Sequence, residues 1–192
     1  MEGVTAVVGS WGLLVESTSA VQEGRNLMQT AIEPASDSDF ESVLNSLETT
    51  PRTLKSLAEK LDDDQLRFQP ASDVFSLLEN VCHLRDLERE AYGVRITRIL
   101  NEDAPALPDF DGARIAAERN YNADDFSKAL EAFTEARQQN VAKLRTCDAT
   151  ALARKANLEA VGSITLARLA IMMSEHDADH LQEISYLLNA RR

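Results

Sequence analysis

"GSITLARLAIMMSEHDADHLQEI", residues 162–184, decides how this chain folds. After Gly162 it contains neither glycine nor proline, and its apolar residues return every three or four positions, so it reads as one long helix. Ser163 or Thr165 can start that helix, and the pattern continues to about Ala190. At 100° per residue, Leu169, Met173, His176, His180 and Leu187 fall within about 60° of one another, with Ile184 at the edge. The two histidines therefore stand on the apolar stripe, one turn apart, and point into whatever the helix packs against.

Upstream segments repeat the helical theme. A first helix is predicted over about Asp39–Leu61, with Val43, Leu44, Leu47, Leu54, Leu57 and Leu61 as its apolar positions. Pro51 lies inside it, where a kink or break is expected. "DDDQLRFQP" reads as a turn of helix and an exit loop. A second helix, capped by Ser72 or Asp73, runs to about Asn101. "EDAPALPDFDG" is a loop by its prolines and glycine. A third helix covers roughly Asp124–Thr146, and a further loop ends at Gly162. Strand signals are almost absent. Four long amphipathic helices predict an all-α fold, a four-helix bundle, over residues 39–192. Residues 1–38 are small-residue-rich and weakly periodic, which predicts a loosely structured N-terminal extension with a short helix around 11–30.

With 192 residues and 44% apolar content the chain can bury one sizeable core. Its formal charge of −12, from 32 acids and 20 bases, argues against nucleic-acid binding and against an anionic membrane surface. Cys82 and Cys147 are too far apart for a C-x-x-C site, and reduced thiols in a cytoplasmic protein are expected. The apolar segment near the start follows Glu2 with no lysine or arginine ahead of it, so a secretory signal is not expected.

The chain has three histidines. The third, His83, lies in "FSLLENVCHLRDLERE", on a row of the second helix shared with Ser76, Glu79, Leu87, Glu90 and Val94. One imidazole from this helix and two from the last could form a three-nitrogen site with a position open to water or substrate, the arrangement of a catalytic zinc. A paired HxxxH can also be two solvated rings or two core rings bonded to carbonyls. Against those readings stand the desolvation cost of two polar rings on an apolar stripe and the absence of histidine elsewhere. Glu79, one turn from His83, is the candidate general base; Asp86 and Glu90 are weaker ones. Cys82 points about 100° away from His83 and reads as a small core residue. Arg85 could meet an anionic substrate or pair with glutamates along its helix. Asp177 is expected to face solvent, and Asp179 could support an imidazole from behind.

"FSLLENVCHLRDLE", residues 75–88, together with the last helix, resembles the DinB/YfiT-like family of metal-binding four-helix proteins. The family pattern W-S-x-x-E-x-x-x-H-L-x-D-x-E is matched by Ser76, Glu79, His83, Leu84, Asp86 and Glu88, with Phe75 in place of tryptophan. Its H-x-x-x-H-x-x-Q-I pattern is matched by His176, His180 and Ile184, with Gln182 displaced by one position. The resemblance spans about residues 40–189. It implies a bundle holding a divalent metal, zinc or nickel, on His83, His176 and His180. It also implies a small-molecule substrate, in some relatives a low-molecular-weight thiol cofactor, and commonly a homodimer. The implied activities are thiol S-transfer or metal-dependent hydrolysis; a non-catalytic metal-binding or stress-related bundle is the alternative.

Overall fold

The structure is a computed structural model that describes residues 37–72 and 74–190. The N-terminal extension, with the short helix expected around 11–30, and Asp73 lie outside the described residues. Helix α1 spans Asp37–Ala58 and buries Leu44, Leu47 and Leu54. It runs unbroken through Pro51. Proline has no N–H to give to the carbonyl four residues back, which is Leu47. The side chain of Arg137 supplies the missing donor, its Nη1 lying 2.9 Å from the Leu47 carbonyl oxygen.

A single turn, α2 (Asp63–Leu66), follows, closed by a reciprocal cap between Asp62 and Gln65. Helix α3 (Leu77–Asp86) begins later than expected. Its cap is Ser76, because Glu79 stands three residues on and the two can satisfy each other's backbone N–H groups. The rod continues through a π-helical turn, Leu87–Tyr92, into α4 (Gly93–Asn101), which ends where the sequence predicts. At the π turn the Gly93 N–H reaches the Glu88 carbonyl. A Cβ on Gly93 would lie 2.9 Å from that oxygen, so glycine permits the approach.

Helix α5 (Gly112–Arg119) is a short element not anticipated from the sequence. Helix α6 (Phe126–Arg145) is capped by Asp125 and fills the predicted third position. After the turn α7 (Ala149–Leu152) comes helix α8 (Leu166–Ala190), whose first turn is held by Arg168 N–H donating to Thr165 Oγ1 at 3.0 Å.

The expectation of plain loops between these helices is corrected by a small sheet. Its strands are β1 (Ala106–Leu107), β2 (Lys155–Leu158) and β3 (Gly162–Thr165), in the order β1-β2-β3. β1 runs parallel to β2, with Ala106 opposite Asn157; β2 and β3 form a hairpin with Ala156 opposite Ile164. Leu107, Ala156, Leu158 and Ile164 are buried in the core against α4 and α8. Strands of two to four residues are too short for alternation to be read from sequence.

The core divides into two apolar clusters. One contains the sheet, α4 and the first half of α8; the other contains α3, the first half of α6 and Ile184. A charged layer sits where the helices pass from one cluster to the other. Arg137 of α6 donates to both oxygens of Asp177 on α8, at 2.5 and 2.9 Å, and to Glu88 Oε1 at 2.9 Å. Asn140 Nδ2 donates to Glu88 Oε2 at 2.7 Å and to the Glu88 carbonyl at 3.0 Å. Asp177 does not face solvent, as the sequence suggested: it is 2% exposed. Its partner comes from another helix, which a single-helix wheel cannot show.

Removing one partner from a buried pair leaves an uncompensated charge and costs about 3–5 kcal/mol. Arg137→Met should therefore lower stability by about that amount in urea unfolding, and adding Asp177→Asn should recover part of it. A loss for Arg137→Met of only about 0–1 kcal/mol, as for a surface pair, would mean that the layer does not hold the bundle together.

Candidate metal centre

His83 comes from the middle of α3, and His176 and His180 come from consecutive turns of α8. Each helix presents these positions inward because most of its other buried residues are apolar, among them Leu78, Val81 and Leu84 on α3 and Leu169, Met173 and Ile184 on α8. Ring centroids are 5.5 Å apart for His83 and His176, 5.0 Å for His83 and His180, and 4.4 Å for His176 and His180. One nitrogen from each ring lies within 4.8 Å of the other two. Imidazoles from two helices far apart in the chain thus meet at one place.

The hydrogen bonds fix the direction of the lone pairs. Asn80 is fully buried, and its Nδ2 donates to the carbonyl of Ser76 at 3.0 Å, which orients the amide. Asn80 Oδ1 then accepts from His180 Nδ1–H at 2.6 Å. The proton on Nδ1 leaves His180 Nε2 with its lone pair, 3.2 Å from His176 Nε2. Two ring nitrogens, His83 Nδ1 and His176 Nδ1, are sealed from solvent with no hydrogen-bond partner. Such atoms are costly in a native interior and mark a place where a further partner fits.

Burial keeps His83 and His176 neutral. It pushes His83 down to about 3, with help from His180, and pushes His176 well below its ordinary value, with help from His180 and His83. Neutral imidazole is the form that donates to a metal. Gly112, at the start of α5, makes room for His83: a Cβ there would lie 2.3 Å from His83 Cε1. Phe75, Phe110 and Tyr92 surround the cluster, with ring centroids 5.8 and 6.3 Å from His83 for the two phenylalanines and 6.4 Å from His176 for the tyrosine. Donor type, convergence, neutrality and the unpartnered nitrogens all fit a divalent cation.

The acids named from the sequence are otherwise engaged. Glu79 Oε2 accepts from the Ser76 N–H at 2.8 Å and from Gln69 Nε2 at 2.7 Å, closing the cap of α3. Asp86 is buried and accepts from Arg85 Nε, Arg119 Nη1 and the Tyr121 hydroxyl. Glu90 pairs with Arg119. Arg85 pairs with Asp86 and with Asp124 rather than with glutamates along its helix. Asp179 is exposed on α8. Cys82 is fully buried and burial pushes its thiol up to about 12, so it is an inert core residue, as read from sequence. Sequence reasoning missed Asn80. Its only signal was a lone amide three residues before His83 on a heavily buried helix.

A family model described as the DinB superfamily matches residues 46–184. Among solved structures the fold is similar to that of YfiT from Bacillus subtilis, with a TM-score of 0.76 and 24% identity. The match covers 83% of this chain and 91% of that one. That protein is described as a probable metal-dependent hydrolase with an unusual four-helix bundle topology. No curated protein matches this chain.

The buried imidazoles make metal-free stability depend on pH. Below about 6.5 the unfolded chain binds protons that folded His83 refuses until about 3, so stability present above 6.5 is lost as pH falls through that window. The slope is about 1.4 kcal/mol per pH unit for each ring held neutral. Urea midpoints of metal-free protein between pH 7.5 and 5 should show it, and His83→Gln should flatten it by one proton. Glycine to alanine in the first turn of a helix ordinarily stabilises. Here Gly112→Ala should instead destabilise by about 1–3 kcal/mol and shift the His83 ring resonances. A stabilised Gly112→Ala protein would contradict the packing.

Proposed function

The chain belongs to the DinB superfamily, and from that premise we propose that it is a divalent-metal-dependent hydrolase of a small molecule, acting through the domain over residues 39–192. The observation that carries this reading is the meeting of three imidazoles, two of whose ring nitrogens are sealed and without partners. His83, His176 and His180 are the proposed ligands, and zinc or nickel the proposed ion on donor chemistry. The description of YfiT supports the same class.

When bound, such an ion supplies Lewis acidity to a water or a thiol at the position that three protein ligands leave open. The chain's own residues do the rest. Asn80 fixes the His180 tautomer so that Nε2 faces the centre. Phe75, Tyr92 and Phe110 supply apolar walls that limit water near the reacting atoms. Glu79 is the proposed proton acceptor, through the oxygen that the cap leaves unused. Thiol S-transfer is the finer alternative within the same scheme, and a cytoplasmic homodimer is its proposed setting. Among the described residues no helix is long and apolar enough to cross a membrane.

Purified protein should carry one equivalent of zinc or nickel per chain by elemental analysis, and His180→Ala should abolish it. A panel of esters, amides and thiol conjugates should then be turned over by metal-loaded protein only. Glutamine can replace glutamate in a helix cap, so Glu79→Gln should keep fold and metal while lowering turnover by about 10²–10⁴-fold. Full metal loading with no turnover across the panel would assign the protein to the non-catalytic class.

A further inference from the structure

Two arginines are buried among the described residues, Arg95 and Arg137. Arg137 is neutralised by two carboxylates. Arg95 is not. It lies on α4, 7% exposed, and makes one hydrogen bond, from Nη2 to the Pro108 carbonyl at 2.7 Å. Its guanidinium carbon lies 5.9 Å from the centroid of the Tyr92 ring. Among the described residues no carboxylate pairs with it; Asp109, exposed beside Pro108, attracts it only from beyond ion-pair contact. The sealed, unpartnered side-chain nitrogens of the described residues are those of His83 and His176. Arg95 Nε and Nη1 have no partner among the described residues and are not among those sealed atoms, so they face accessible space.

Arg95 is attached to both walls of the histidine site. Tyr92, against which it packs, lies with its ring 6.4 Å from His176. Pro108, which it holds, is two residues from Phe110, whose ring is 6.3 Å from His83. A buried guanidinium without a counter-charge is costly, the more so in a chain with 32 acids from which a partner could have been drawn. Pro108 engages one N–H of Nη2, so the other N–H of that nitrogen, with Nε or Nη1 beside it, leaves one fork of the guanidinium to take a planar anion in two hydrogen bonds.

We propose that Arg95 is the anion-binding residue of the histidine site, and that the molecule taken there is a small carboxylate with an apolar or aromatic body seated against Phe75, Tyr92 and Phe110. This rests on the reading of the three histidines as the reacting centre. One guanidinium matches the single charge of a carboxylate better than the double charge of a phosphate monoester, and the aromatic walls suit a hydrocarbon body.

The test is calorimetric titration of the full chain, metal-free and zinc-loaded, with 3-phenylpropanoate, phenyl phosphate and the neutral 3-phenylpropanol. Wild-type protein should bind the carboxylate about tenfold or more tighter than the alcohol, the size of a charged hydrogen-bonded contact. Arg95→Met should remove that preference and leave alcohol binding unchanged, and Arg95→Lys should restore part of it. Circular dichroism checks that each variant folds; if Arg95→Met does not, the wild-type comparison and Arg95→Lys still decide. Equal binding of carboxylate and alcohol, no binding of either, tighter binding of phenyl phosphate, or an unchanged preference in Arg95→Met would each overturn the proposal. Carboxylate-selective binding in a protein that takes up no metal leaves Arg95 in its role and sinks the hydrolase reading. Full metal loading with charge-blind binding does the reverse.

Discussion

The buried guanidinium of Arg137 is the contact on which the bundle's geometry depends. It touches all four long helical rods. Within α6, its own helix, it stacks on Phe133, with its guanidinium carbon 4.9 Å from the ring. It donates to the Leu47 carbonyl of α1, to Glu88 at the π turn after α3, and to Asp177 of α8. Apolar packing alone tolerates a helix sliding or rotating by a fraction of a turn. Four directional bonds to one planar group do not, because any slip leaves a charge unpaired in a low-dielectric interior.

That constraint reaches the histidines through the chain itself. Asp177 follows His176 directly, so the two-pronged hold on Asp177 sets the rotation of α8 at the height where His176 must face His83. On the other rod, Glu88 lies five residues after His83, at the start of a π turn whose extra residue shifts everything beyond it by about 100° relative to a regular helix. Tyr92, the last residue of that turn, stands with its ring 6.4 Å from His176. The π turn survives because Asn140 donates to the Glu88 carbonyl and Gly93 has no Cβ to obstruct it. The charged layer therefore aligns the site as well as joining the helices.

These relations mark how far the sequence could be read. Helix α8 was legible because 25 residues of unbroken periodicity leave no alternative, and Thr165 marks its start. The inward aim of His176 and His180 was legible because both stand on the apolar stripe of α8; His83 lies on a row mixed with Glu79 and Glu90, and its place beside the pair was carried by the resemblance of its segment to the family pattern. The hairpin of β2 and β3 was not, since its strands of four residues each show only two alternations. Asp177 was misread for a different reason: an acid flanked by Glu175 and Asp179 looks solvated until its partner appears 40 residues upstream. At Pro51, where a kink or break was expected, the helix has no break, and the donor that replaces the missing N–H comes from Arg137, 90 residues from Leu47. What a helix wheel supplies is a direction; what it omits is the neighbour.

The unpartnered nitrogens give the site its thermodynamic character. Each sealed polar atom without a partner costs about 1–3 kcal/mol, and two of them belong to rings that meet at the junction of α3 and α8. The fold sustains that cost because the two apolar clusters on either side are complete and the Arg137 layer locks them in register. A ligand that satisfies those atoms lowers the free energy of the folded state alone, since the unfolded chain does not gather the three rings. Occupancy of the centre and stability of the bundle are then one coupled quantity. The residues that hold the histidines in place, Asn80 and Asp177 first among them, orient the rings through bonds that belong to the fold itself.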